Sequence, residues 1–222
     1  MSNIIYKREK KIMHLAEAFY TNVIVNPILP LVAKTPIKPN YITISNILIS
    51  VFIYYLAFMN NLTIVAVLIQ LYLFFDVLDG NLARYINARS KLGAKLDFWS
   101  DRFFYNLIFI SIGYGRVNIL LLLAVVVCVN LYAIIPTYYI VPNLRKLKNI
   151  KRFGFKKYMM SKGYIIGMDL GTVDFLLTFF LITRLISLTN LFILITAGYI
   201  IDLMYRIIEL KINQKISGGR NV

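Results

Sequence analysis

Apolar stretches separated by short polar or basic segments make up most of the chain. The stretches are roughly 17 to 25 residues long, which is the length that an α-helix needs to cross about 30 Å of hydrocarbon. The first stretch, residues 12–32, contains Glu17 and is interrupted by Pro27 and Pro30, which is typical of an amphipathic helix in the membrane interface. The remaining pattern predicts six membrane spans, at residues 42–59, 62–83, 98–114, 118–136, 170–185 and 188–207.

The composition favours a membrane environment over an aqueous one. Of the 222 residues, 59% are hydrophobic and 16% are charged, and the mean hydropathy is +0.69, well above that of an average soluble domain. We therefore predict an all-α fold class: a polytopic membrane protein with six transmembrane helices preceded by an interfacial amphipathic helix. The predicted divisions are an amino-terminal segment (1–35), a membrane domain (36–210) and a tail (211–222).

Lysine and arginine are concentrated in alternate connections between the predicted spans. The amino end, the 84–102 linker, the 144–162 loop and the carboxyl tail are rich in them, whereas the intervening turns contain only Arg116. Positive charge marks the cytoplasmic side of a membrane protein, so we expect both termini and the two basic connections in the cytoplasm. The formal net charge of +15 then favours contact with anionic lipid headgroups rather than with nucleic acid.

Four of the ten acidic side chains lie within 26 positions, from Asp76 to Asp101, at the expected cytoplasmic end of two neighbouring spans. Asp76 and Asp79 share one face of a helix, and Asp97 and Asp101 share one face of the next. A single interfacial carboxylate is often solvated or paired with a cation, but four in this arrangement indicate a functional cluster. Their oxygen ligands suit Mg²⁺ or Mn²⁺, which would neutralise the cluster and leave positions for phosphate oxygens.

Small and cationic side chains accompany the two acidic faces. Gly80 and Ala83 lie on the first face, and Gly93 lies one turn before the second acidic pair. These small residues would let a planar or phosphate group approach the backbone, and the guanidinium of Arg84 would bind phosphate. The pattern therefore predicts a site for a phosphate-containing ligand.

Two neighbouring segments contain all of these residues in a fixed register: Asp76-Val-Leu-Asp79-Gly80-Asn-Leu-Ala83-Arg84 and, after eight residues, Gly93-Ala-Lys-Leu-Asp97-Phe-Trp-Ser-Asp101. Together they resemble the signature of the CDP-alcohol phosphotransferase (CDP-alcohol phosphatidyltransferase) family at every defining position. Residues 39–43, Pro-Asn-Tyr-Ile-Thr, are similar to the segment that opens the first span in this family. The resemblance covers residues 39–101, and it implies six spans with a site that faces the cytoplasm.

The resemblance also implies roles for individual residues. Asp76, Asp79 and Asp97, with Asp101 beside them, would hold two ions of Mg²⁺ or Mn²⁺. Asp101 would act as the general base that removes the proton of the acceptor hydroxyl. The expected CDP-binding residues are Asn40, Thr43, Asp76, Asp79, Gly80, Ala83, Arg84 and Gly93. For Asn40 and Thr43, capping of the first span is an alternative interpretation.

The acceptor is expected to enter from the cytoplasmic side, and an alcohol phosphate would need cations beyond those of the signature. The candidates are Arg145, Lys146, Lys148, Arg152 and Arg206. The alternative is that the loop cations only follow the positive-inside rule, and that Arg206 pairs with Asp202 one turn before it. We interpret Asp169 and Asp174 as residues that cap the start of the fifth span, with contact to a substrate as the alternative.

The resemblance implies an enzyme of phospholipid synthesis, which moves a phosphatidyl group from CDP-diacylglycerol to a polar alcohol or alcohol phosphate and releases CMP. A CDP-linked polar alcohol as donor, with a lipid as acceptor, would use the same residues, so this alternative stays open. A membrane cation transporter that uses the four aspartates is a hypothesis from another class, but no polar residues continue such a path across the membrane. By resemblance alone, we expect a homodimer.

Overall fold

The computed structural model describes residues 12–147 and 150–218, and helices account for most of them. The basic segment at residues 7–11, Lys148 and the final residues 219–222 lie outside the described residues. The helices of the described chain, each uninterrupted run counted once, are α1 (Leu15–Val32), α2 (Pro39–Phe58), α3 (Leu62–Tyr85), α4 (Lys91–Gly113), α5 (Ile119–Arg145), α6 (Gly154–Ser161), α7 (Leu170–Thr183) and α8 (Leu188–Gly218).

A helix occupies each of the six predicted spans, in the order α2, α3, α4, α5, α7 and α8. By length and composition, α1, α2, α3, α5 and α8 are able to cross a membrane, and α7 is a shorter apolar helix. The predicted fold, an all-α integral membrane protein, is confirmed. Because α1 is itself long and apolar enough to span, its interfacial position stays a prediction.

The helix α4 begins at Lys91, whereas the apolar pattern predicts a start at residue 98. The pattern misses the first two turns because they are polar. Here the Ser90 side chain accepts a 2.9 Å hydrogen bond from the backbone N–H of Gly93, which satisfies one of the free N–H groups at the helix start. The additional turns include Gly93, which lies on the same helix as Asp97 and Asp101, as its spacing from them predicts.

Two further helices extend beyond their predicted ends. The helix α5 continues past Pro136 to Arg145, because a π-helical turn at Pro136–Ile140 accommodates the proline. The helix α8 continues to Gly218, and the fully buried Leu210 on this extension packs against the end of α5. These helices therefore continue beyond the predicted span ends at residues 136 and 207, because contacts between segments distant in sequence stabilise the extensions.

The main core lies between α2, α3, α4, α5, α7 and α8. Within it the rings of Tyr72 on α3 and Phe104 on α4 stack at 3.6 Å and are nearly parallel. Large apolar side chains such as Leu48, Leu120 and Ile201 are exposed around the outside, where lipid tails would match them. A short parallel contact between β1 (Met13–His14) and β2 (Tyr164–Ile165) ties the start of α1 to the chain before α7.

Candidate active site

The four aspartates of the signature lie where α3 ends and α4 begins. Asp76, Asp97 and Asp101 each place one carboxylate oxygen within 4.8 Å of the others. Asp79 is not part of this group; its carboxylate accepts a 2.5 Å hydrogen bond from Thr43 Oγ1 of α2. The helices α3 and α4 thus supply the carboxylates, and α2 supplies a hydroxyl group that binds Asp79.

Asp101 is held by neighbours on α3 and α4. The hydroxyl of Tyr72 donates a 3.3 Å hydrogen bond to Asp101 Oδ1 and lies 3.1 Å from Ser100 Oγ. The Tyr72 ring is fixed by its stacking on Phe104, and its backbone carbonyl accepts a 3.1 Å bond from the Asn46 amide. The orientation of the Asp101 carboxylate therefore depends on a side chain that sequence reasoning did not single out.

A cavity of about 220 Å³ opens beside the aspartates, between the start of α2, the end of α3 and the start of α4. Every predicted CDP-binding residue except Asp76 lines it. The sequence did not predict the contribution of the α3–α4 connection, whose Arg89 and Ser90 complete the wall. The predicted residues in the lining are Asn40, Thr43, Asp79, Gly80, Ala83, Arg84 and Gly93.

Small residues let the walls of this cavity approach one another. A Cβ atom at Gly93 would lie 2.7 Å from Asn40 Oδ1. The close approach of α2 and α4 at this point therefore requires a residue without a side chain. A Cβ atom at Gly80 would lie 3.6 Å from the guanidinium nitrogens of Arg84, which folds back along α3. Capping of α2 by Asn40 or Thr43 is not observed, because the cap position is Lys38 and the Thr43 hydroxyl bonds to Asp79.

A second cavity of about 500 Å³ lies on the other side of Asp97 and Ala94, which line both cavities. Residues of α4, α5 and α8 and the start of α7 form its wall, which combines aromatic and polar side chains. We call it the acceptor cavity, after the substrate that we propose for it. Its aromatic residues are Phe98, Tyr105, Tyr132, Tyr138 and Tyr199, and its polar residues are Asp97, Asp101, Arg102, Asn106, Thr137 and Asp169.

A polar network beside the acceptor cavity joins α4 to α5. The Asn130 amide donates a 2.6 Å hydrogen bond to Asn106 Oδ1, and Arg102 donates a 3.4 Å bond to Asn130 Oδ1. The guanidinium of Arg102 also lies 5.6 Å from the centre of the Phe98 ring. Polar residues inside a membrane domain are costly and commonly functional. The presence of Asn106 and Asn130 within two predicted spans could therefore have indicated a polar cavity here.

Asp169 precedes α7, as expected, but its side chain makes no capping bond to the helix backbone. Its Oδ1 accepts a 2.5 Å hydrogen bond from the Thr172 hydroxyl and lies 3.2 Å from His14 Nδ1, at ion-pair distance but without the alignment of a hydrogen bond. Burial by itself would raise the pKa of Asp169, but His14 and Thr172 outweigh burial, and the pKa is lowered. Asp169 is therefore ionised at neutral pH.

The expected cap at Asp174 is wrong. This residue lies one turn inside α7 and is fully buried, where its Oδ2 accepts a 2.7 Å hydrogen bond from the hydroxyl of Tyr105 on α4. The partner comes from a helix distant in sequence, so position along α7 could not predict this contact.

The cations proposed for an alcohol phosphate are not gathered around the acceptor cavity. Arg145 and Lys146 are exposed at the end of α5, and neither is among the residues that line the two cavities. Arg152 donates a 2.7 Å bond to the buried carboxylate of Glu209. Arg206 bonds to Asp202 Oδ2 at 3.0 Å, so the alternative of a pair within one helix is what the structure contains.

A model of the CDP-alcohol phosphatidyltransferase family matches residues 37–197. The chain belongs to this family. As a CDP-alcohol phosphatidyltransferase it is a membrane transferase of substituted phosphate groups, which acts in phospholipid synthesis. Membership leaves the transporter hypothesis without support.

The fold of this phosphatidyltransferase is similar to that in the crystal structure of the Mycobacterium tuberculosis phosphatidylinositol phosphate synthase with CDP-DAG bound. The TM-score is 0.53 at 19% sequence identity, and the match covers 84% of this chain and 93% of the synthase chain. A search of curated proteins finds no match.

Proposed function

We propose that the protein transfers the phosphatidyl group of CDP-diacylglycerol to a polar alcohol and releases CMP. The observation that carries this proposal is the position of Asp97, which lines both cavities and belongs to the close carboxylate group. A donor in one cavity and an acceptor in the other would meet at these carboxylates. Family membership supports the type of reaction, and the similar fold of a synthase solved with CDP-DAG bound supports the choice of donor.

We assign two ions of Mg²⁺ or Mn²⁺ to Asp76, Asp79, Asp97 and Asp101. The donor set fits, since carboxylate oxygens of Asp76, Asp97 and Asp101 lie within 4.8 Å of one another and would repel one another strongly in a membrane without a cation. Asp79 lines the adjoining smaller cavity. When bound, the ions would neutralise the carboxylates and stabilise charge on the pyrophosphate oxygens.

The smaller cavity would hold the cytidine diphosphate. Asn40 and Thr43 extend from α2 toward it, while Gly80 and Ala83 leave the surface of α3 open to a flat or phosphate group. Arg84 would bind phosphate oxygens and compensate the charge that remains on CMP. Each of these side chains acts by binding or orientation and needs no covalent intermediate.

Asp101 is assigned as the general base. It would take the proton of the acceptor hydroxyl while that oxygen forms a bond to the β-phosphorus. The bond between this phosphorus and the bridging oxygen breaks, and CMP leaves with the oxygen. The hydrogen bond from Tyr72 would keep the Asp101 carboxylate turned toward the acceptor hydroxyl.

The proposed orientation places the active site and both termini in the cytoplasm, following the distribution of Lys and Arg. The homodimer and the division into segments 1–35, 36–210 and 211–222 remain predictions.

The test is release of CMP from CDP-diacylglycerol by the purified protein in detergent with Mg²⁺. The acceptors are glycerol, inositol, glycerol 3-phosphate, inositol phosphate, serine and ethanolamine. Release that depends on one acceptor, disappears with EDTA and is lost in Asp101→Asn but retained in the control Tyr55→Phe, at an exposed site of α2, would support the proposal. If CMP stabilises the protein against heat but no acceptor supports release, the donor assignment is wrong, and CDP-linked polar alcohols with diacylglycerol are the next donors to test.

A further inference from the structure

The acceptor cavity contains a buried hydroxyl that is not used within the protein. Tyr199 of α8 lines the cavity and is 2% exposed, yet its Oη has no hydrogen-bond partner among the described residues. Two other tyrosines of the wall, the buried Tyr105 and the partly buried Tyr132, are satisfied, since Tyr105 donates to Asp174 and Tyr132 donates to Asp202. A buried polar atom without a partner is costly, so a ligand is the expected partner of Tyr199.

The charge of the cavity wall is predominantly negative. Asp97 and Asp101 lie at the end of the cavity that adjoins the proposed donor site, and Asp169 adds a third carboxylate at the start of α7. The proposed metal ions would neutralise the first two, but they are not assigned to Asp169. Among the described residues, the imidazole of His14 lies at ion-pair distance from this carboxylate, with its Nδ1 3.2 Å from Oδ1.

The arginines near the acceptor cavity are already engaged. Arg206 bonds to Asp202 and donates a 2.6 Å hydrogen bond to the Tyr132 hydroxyl, which itself donates to Asp202. Arg102 lies over the Phe98 ring and donates to Asn130. Binding of a phosphate group by Arg206 would require this closed arrangement to break, which makes an alcohol phosphate a poor fit.

On the basis of the proposed function, we propose that the acceptor is an alcohol carrying an ammonium group, which is bound by Asp169 and Tyr199. The carboxylate of Asp169 and the phenol oxygen of Tyr199 accept hydrogen bonds from the ammonium. The aromatic walls favour the same charge, because the faces of tyrosine and phenylalanine rings attract cations. The hydroxyl of the acceptor then points back toward Asp101, which is the proposed base.

The test compares three acceptor classes under the conditions of the CMP-release assay: serine and ethanolamine, glycerol and inositol, and glycerol 3-phosphate and inositol phosphate. Only the first class should support release. Asp169→Asn should raise the KM for the amino alcohol about tenfold, and Tyr199→Phe should raise it about fivefold. Neither variant should change the KM for CDP-diacylglycerol or the stabilisation by CMP. The control Tyr55→Phe, on an exposed site of α2, should leave all of these values unchanged.

The outcomes separate this inference from the proposed function. Release supported by a neutral alcohol or an alcohol phosphate, and not by an amino alcohol, overturns the inference and leaves the phosphatidyl transfer intact. An unchanged KM for the amino alcohol in Asp169→Asn, with normal stabilisation by CMP, also overturns it. No release with any of the six acceptors removes the proposed function, and the inference is lost with it.

Discussion

The hydroxyl of Tyr72 offers a clean test of how Asp101 is oriented. Tyr72→Phe removes one oxygen atom, while the ring can keep its 3.6 Å stacking on Phe104. The variant therefore deletes the hydrogen bond to Asp101 without creating a cavity the size of a side chain. We expect kcat to fall while the KM for CDP-diacylglycerol stays the same, because Tyr72 does not line the smaller cavity.

The geometry sets the size of this effect. At 3.3 Å the bond from Tyr72 to Asp101 is longer than the roughly 2.6 Å typical of a hydroxyl bound to a carboxylate. Its contribution should thus lie at the lower end of the range for charged partners, about 1.5 kcal/mol. A loss of that size in the transition state lowers kcat about tenfold. The free energy of unfolding should change by less than about 1 kcal/mol.

The assay is steady-state release of CMP, accompanied by thermal unfolding with and without CMP. Tyr54→Phe is the matched control, because its ring also packs on Phe104, 6.1 Å away, but belongs to α2 and has no bond to Asp101. A kcat that is unchanged in Tyr72→Phe, or lowered equally in Tyr54→Phe, would refute the assigned role of the Tyr72 hydroxyl.

Three other predictions concern stability and nucleotide binding. Glu209→Gln deprives Arg152 and a neighbouring lysine of their buried carboxylate; we expect a loss of about 2 kcal/mol, measured as a Tm about 5 °C lower, with Lys211→Gln, at an exposed site of α8, as the unaffected control. The pKa of Asp169 is lowered in the folded protein. Its ionised form therefore stabilises the fold at pH values above the pKa of about 3.9 that Asp has in the unfolded chain, and this stabilisation is lost as the pH falls through the folded pKa. Asp169→Asn should accordingly flatten the decrease of Tm below about pH 4. Gly93→Ala, whose methyl group would lie 2.7 Å from an amide oxygen in the wall, should weaken CMP binding about tenfold by thermal shift, and a Kd equal to wild type would contradict the close approach of α2 and α4.

Helical periodicity and a short connection were enough to predict that the two acidic faces meet. Asp76 and Asp79 share a side of α3, Asp97 and Asp101 share a side of α4, and few residues separate the helices, so the carboxylates have little freedom to lie apart. The same reasoning predicted where the six core helices lie. It worked because each inference needed only neighbours in sequence.

Reasoning from sequence neighbours could not predict the acceptor cavity. Its wall combines Tyr105, Tyr132, Asp169 and Tyr199, which belong to separate parts of the chain and meet only through packing. The spacing of aromatic residues along a helix is the same whether their side chains face lipid or a cavity, so the sequence does not distinguish the two cases. For Asp174 the sequence suggested a cap because it lies near a helix start, and only the hydroxyl of Tyr105 shows why the carboxyl is buried.

Asp97 and Ala94 form a wall common to both cavities, and this has a consequence for stereochemistry and kinetics. In the proposed mechanism, donor and acceptor would occupy the two adjoining cavities at the same time, so the rate would depend on a ternary complex and not on alternating half-reactions. The incoming oxygen would approach phosphorus from the side opposite the departing CMP. Each turnover would then be a single displacement that inverts the configuration at the transferred phosphorus atom.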